Sequence, residues 1–78
     1  MKFTQYFLHT RMRPDRQDIL TEWIERVVRD PDVEEVQRDG RIRRWKRIDE
    51  ADGRALRVVL LDDAETVHNA FFDRRLKG

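Results

Sequence analysis

The sequence predicts an α+β domain: an antiparallel β-sheet meander with one amphipathic helix packed on one face, in the order βαββββ. Three observations carry that expectation. Apolar residues at helical spacing are concentrated in one stretch, Ile19, Leu20, Trp23, Ile24, Val27 and Val28. Beyond it, turn signals arrive at short intervals, at Asp39-Gly40, Asp52-Gly53 and Asp62-Asp63-Ala64, with β-branched and aromatic residues between them. The chain has 78 residues, which suits one domain over 1–78 with one modest core, because so short a chain hides only about 60 to 65% of its unfolded surface.

Each element has its own local reason. Residues 2 to 9 alternate loosely and include Phe3, Thr4, Tyr6 and Phe7, which suit a first strand. The helix is expected to begin near Pro14-Asp15, where the Asp15 carboxylate can accept first-turn amides and Asp18 adds a second acid at the positive end of the dipole. Pro31 stops it. Strands follow near 33 to 38, 41 to 48, 55 to 61 and 66 to 73.

If each turn is a two-residue loop, hairpin pairing fixes the faces. Glu35 then lies opposite Arg44, Ile48 opposite Arg57, Lys46 opposite Val59, and Val59 opposite His68. One face collects Arg44, Lys46, Arg57 and His68 with Ile42, Val59, Ala70 and Phe72. The other collects Val36, Trp45, Leu56, Val58, Leu60, Val67 and Phe71, the more apolar set, and is expected to take the helix with Trp45 buried beneath it. A one-residue bulge in any hairpin would invert the assignment beyond it.

Composition removes several function classes. There is no cysteine, hence no disulfide framework and no thiolate metal site, and a reducing compartment, the cytoplasm, is the default expectation. The opening "MKFTQYFLHTRMR" has no small-residue cleavage site and does not read as a signal peptide. No stretch approaches the roughly 20 apolar residues that cross a membrane, so no membrane partner is expected. Two histidines without a third ligand nearby are a weak metal signal, and no glycine-rich phosphate loop or nucleophile elbow is present, so no metal or cofactor is expected.

Charge is balanced in total and divided locally. Charged residues make up 42% of the chain, yet the formal net charge is only +1, which argues against a nonspecific polyanion binder. "RIRRWKR", residues 41 to 47, nevertheless carries five bases, after an acidic block between Asp30 and Asp39. Arg44 either pairs with Glu35 across the hairpin or joins Lys46, Arg57 and His68 in a site on the open face. Arg57 is the most telling member, because an arginine inside "LRVVLL" is costly unless paired or used.

A first strand ending in "HTRMR", a helix running into "RDPDVEEVQRDGRIRRW", then "ALRVVLL" and "AFFDRR" together resemble the small bacterial domains placed near the RelE and BrnT toxins. The resemblance implies a RelE- or barnase-like antiparallel sheet with a metal-independent ribonuclease site, and a small acidic antitoxin-like protein as partner. By position it assigns Lys46 and Arg57 to the family's central-strand cations, Arg74 to a basic residue after the last strand, and His9 to the histidine that opens several such domains. The chain departs from RelE in having one predicted helix before the hairpins instead of two, and no tyrosine near its C-terminus.

The expected chemistry is RNA cleavage with Lys46, Arg57, His68 and Arg74 as catalytic residues and with His9 and Arg44 as nucleic-acid contacts. Such a reaction needs a proton acceptor for the 2′-hydroxyl, a donor for the leaving oxygen, and fixed cations at the phosphorane-like transition state. Imidazole titrates near neutrality, and guanidinium matches phosphate oxygens. Two other classes stay open: a nucleic-acid binder that does not cut, and a partner-binding module that docks an antitoxin-like peptide on Phe72 and Ile42.

Overall fold

The first strand is far shorter than its alternating sequence suggests. In the computed structural model, which describes residues 1–75, β1 is only Lys2–Phe3, and Gln5–Thr10 forms a short helix, α1. Thr4 caps it, its hydroxyl oxygen accepting from the Phe7 N–H at 3.1 Å. Phe3 and Phe7 then stack at a centroid separation of 5.2 Å, and Phe7 and Thr10 are buried. What looked like period-two alternation is the four-residue spacing of one helical turn.

Helix α2 spans Thr21–Arg29, later than the Pro14-Asp15 start. The intervening segment is held in successive turns by bonds such as Arg16 N–H to Arg13 O and Ile19 N–H to Arg16 O. Asp15 therefore caps nothing, and Leu20 is exposed ahead of the first turn. The stripe itself is as expected: Trp23, Ile24 and Val27 are buried, and the helix ends at Asp30, before Pro31.

Four further strands complete the sheet: β2 (Val33–Val36), β3 (Ile42–Ile48), β4 (Arg54–Leu60) and β5 (Thr66–Phe72). The class is α+β, and β2 to β5 form the expected antiparallel meander. The sheet is mixed, however, in the order β1-β5-β4-β3-β2, because β1 runs parallel to β5; two helices precede the meander where one was expected. No helix among the described residues is long and apolar enough to cross a membrane.

None of the three hairpins is the two-residue loop assumed from sequence. Gln37 N–H bonds Arg41 O at 2.8 Å, with Gly40 at φ +91° inside the loop, so Glu35 faces Arg43 and Glu34 faces Arg44. Between β3 and β4, the 3-10 turn Asp49–Ala51 is followed by left-handed Asp52 and Gly53, and Ile48 pairs with Arg54. That is an odd displacement, and it inverts the face assignment: Arg57 lies opposite Trp45, not Ile48. Between β4 and β5 the pairing starts as expected at Leu60–Val67, then a bulge at His68 sets Val59 against Asn69 and Arg57 against Phe71.

The faces re-sort accordingly. Ile48, Leu56, Val58, Leu60, Val67 and Ala70 pack against Phe7, Ile19, Trp23, Ile24 and Val27, with Phe72 edge-on to Trp23 at 6.3 Å. Trp45 is buried, but in the row Trp45–Arg57–Phe71 on the far side of the sheet, and Phe71 is there too, not in the core.

Two carboxylates fasten the turns and set an acid limit on stability. Glu50 accepts from both terminal nitrogens of the Arg26 guanidinium at 2.8 and 2.9 Å, tying α2 to the β3–β4 turn, and this bond lowers its pKa to about 2. Asp63 accepts from the Thr66 hydroxyl and from the Thr66 and Glu65 N–H groups, which lowers it to about 2 as well. Because folding depresses both pKa values, the stability they add is complete above their ordinary values of 4.5 and 3.8 and fades as pH falls towards about 2. Thermal melts followed by circular dichroism should therefore show a midpoint falling through that window, less steeply in Glu50→Gln. A midpoint flat from pH 5 to pH 2 would contradict this.

Candidate functional site

The structure answers what the five cations of residues 41 to 47 do: four of them meet the acidic block beside them. Arg41 contacts Asp39 at 3.7 Å, Arg43 pairs with Glu35 at 3.2 Å, and Arg44 with Glu34 at 2.6 Å. Lys46 lies between Asp30 at 3.5 Å and Asp32 at 3.3 Å. The fifth, Arg47, donates its backbone N–H to Asp32, the main cause of that carboxyl's lowered pKa. Burial opposes charge on Lys46, but its bonds to Asp32 and Asp30 outweigh that and raise its pKa. The two opposed blocks neutralise each other across the β2–β3 ladder.

The expected four-residue cluster is thereby split. Arg44 and Lys46 point to the helix side, where Arg44 also donates to Val28 O at the end of α2, at 2.7 Å. Neither shares a face with Arg57, and the cause is the odd hairpin displacement. His9 sits exposed on α1, away from the depression described next, and Arg74 lines a separate one. Arg57 and His68 do come together, because the bulge brings His68 onto the far face beside Asn69.

These two line a shallow depression of about 340 Å³ with Tyr6, Gln37, Arg41, Val59, Asn69 and Phe71. The Arg57 guanidinium lies 5.0 Å from the Phe71 ring centre and 5.6 Å from that of Trp45, with a side chain 14% exposed. Asp73, 7% exposed, is its counter-ion at 3.7 Å, too long for a hydrogen bond, and the Arg57 Nε is buried with no partner among the described residues. Burial lowers the arginine's pKa, Arg43 adding to it. Asp73 also accepts from the Arg75 N–H at 2.9 Å and the Trp45 indole N–H at 3.1 Å, and stays ionised well below its ordinary value, the Arg75 bond contributing most.

His68 is held on two sides. Its ring stacks on Tyr6 at 4.8 Å, and its Nδ1 lies 3.1 Å from the Thr4 hydroxyl. The Thr4 oxygen already accepts from Phe7 N–H, so its own proton is available for Nδ1; that leaves the imidazole proton on Nε2. Burial, then the charge on Arg41, lowers the His68 pKa, so the ring is neutral at pH 7. A titration of the His68 ring proton by NMR should accordingly give a midpoint below 6.5. A midpoint at or above that value would contradict the stacked, half-buried placement.

Sequence reasoning missed Thr4, Tyr6, Arg16, Asn69 and Asp73. Arg16 stacks over Phe71 at 5.2 Å and donates to the Asn69 side-chain oxygen at 2.8 Å, from a loop read as helix. A Thr-x-x-Phe cap was the available signal for Thr4 and Tyr6; for the others no local pattern existed. No group of three or more potential metal ligands is gathered among the described residues. Protein-family models, curated proteins and solved structures offer no match to this chain.

Proposed function

We propose that the far face of the sheet binds single-stranded RNA, with a phosphate between Arg57 and His68 and a base against Tyr6. The observation that carries this is the convergence of Arg57 and His68 in one depression on a sheet face that neither helix covers. Arg57 retains a cation whose counter-ion is long and shared, as an arginine serving a ligand would. Neutral His68 offers an Nε2 donor, and Tyr6, 51% exposed, offers a ring for stacking. On this reading the chain is a RelE- or BrnT-like domain of the cytoplasm, and a small acidic antitoxin-like protein would cover the same cations.

Cleavage is a second reading, favoured by the imidazole lying beside a fixed guanidinium. After exchange to the other tautomer, Nε2 can take the 2′-hydroxyl proton as that oxygen attacks phosphorus, while Arg57 stabilises the phosphorane oxygens. Lys46 and Arg74, expected to share this work, are not at the depression.

Purified protein, incubated in chelator with a fluorescent U-rich hexamer, separates these readings. Binding should weaken by roughly 0.7 log units per tenfold rise in salt for each phosphate engaged. Salt-independent or absent binding would remove the RNA reading. Cutting in chelator that Arg57→Ala abolishes, while binding falls much less, would make the protein a ribonuclease.

A further inference from the structure

The largest concavity among the described residues lies beyond Phe71 and is unused by the reading above. It encloses about 620 Å³ at one end of the sheet and is lined by Arg16, Arg47, Arg54 and Arg74, with Asp15, Asp52 and Asp73 also at its wall. Its charge balance differs from that of the β2–β3 ladder, where the cations have carboxylate partners. Arg54 donates to Ala51 O and lies 4.0 Å from the Phe72 ring centre, and no carboxylate among the described residues pairs with Arg54 or Arg74. Of the acids, Asp73 is already engaged by Trp45, Arg57 and Arg75. Asp15 touches Arg16 from an exposed position at 3.5 Å, where water screens it.

Phe71 belongs to both depressions, and Arg16 bridges them, stacked on Phe71 and bonded to Asn69 of the first. From this continuity we propose that the Arg54–Arg74 depression is a second phosphate subsite, so that a single strand of RNA runs along β5 from His68 over Phe71 to Arg74. At about 3.3 Å per residue that path is about 20 Å long, and a site of about four nucleotides, at the small end for single-strand grooves, fits it. The subsite rests on the RNA-binding reading and adds the strand's path and length to it.

The test is affinity against oligonucleotide length, with U2, U4 and U6 in chelator at fixed salt. U4 should bind about tenfold tighter than U2, with little further gain at U6, since each phosphate engaged adds its own salt-dependent contact. Arg74→Glu, on an exposed side chain where folding is not at risk, should remove most of the U4 advantage and leave U2 within about twofold. Arg54→Lys should keep it, and Arg54→Ala should lose it. If Arg74→Glu and Arg54→Ala change U2 and U4 equally, or change neither, the second subsite is wrong while the first stands. If wild-type protein binds no length in a salt-dependent way, the RNA-binding reading itself has failed.

Discussion

Trp23→Ala should destabilise the protein by about 3 to 5 kcal/mol, the usual cost of emptying a large aromatic from a packed core. Trp23 is 9% exposed and stands on α2 between Ile19 and Val27, with its ring edge-on to Phe72 across the layer. Removing it leaves a void between helix and sheet that small neighbours cannot fill. A domain this short has a total stability on the order of 4 to 12 kcal/mol, so the variant should sit near or beyond its unfolding threshold. Urea denaturation followed by far-ultraviolet circular dichroism reads the difference, and Trp45 remains as an independent fluorescent reporter on the other face. A loss under about 1 kcal/mol would mean that α2 does not carry the core.

That helix was legible because its signal is redundant. Trp23, Ile24 and Val27 repeat the same face, and Pro31 closes it, so a six-residue error at its start leaves the stripe intact. The meander was legible for a similar reason, each turn being marked by residues that tolerate left-handed backbone, as Gly40, Asp52, Gly53 and Ala64 do. Which face a strand residue occupies has no such redundancy. It depends on whether a loop holds an odd or an even number of residues, and the 3-10 turn at Asp49–Ala51 was invisible in composition. One odd displacement there moved Trp45 out of the helix layer and parted Arg44 and Lys46 from Arg57. Arg57 and His68 ended on one face only because a second irregularity, the bulge at His68, came after the first.

The charge blocks carry a related lesson. Their opposition on either side of Asp39-Gly40 was visible in the chain, and a hairpin at that turn brings them face to face. Charge that is dense in sequence can thus be spent internally, and a candidate polyanion site is better sought among cations left over once the ladders are paired. Arg54 and Arg74 are of that kind, and nothing in "GRALR" or "DRRL" distinguishes them from their paired neighbours.

Asp73→Ala should cost about 3 to 5 kcal/mol, because it strands Arg57 as a buried cation and leaves the Trp45 indole N–H without its acceptor. Arg57→Met should behave differently. Methionine keeps an apolar stem between Trp45 and Phe71, removes a guanidinium whose Nε has no partner, and leaves Asp73 with Arg75 and Trp45, so stability should stay within about 1 kcal/mol of the parent. The asymmetry separates two reasons for an arginine at this position. If the charge is there for the fold, Arg57→Met destabilises as Asp73→Ala does and RNA affinity falls only as the protein unfolds. If it is there for a ligand, Arg57→Met folds normally and loses the salt-dependent part of RNA binding. Denaturation and fluorescence anisotropy on the same preparation decide between them. The outcome expected is a stable Arg57→Met protein whose salt slope is shallower by about 0.7, one phosphate contact having gone.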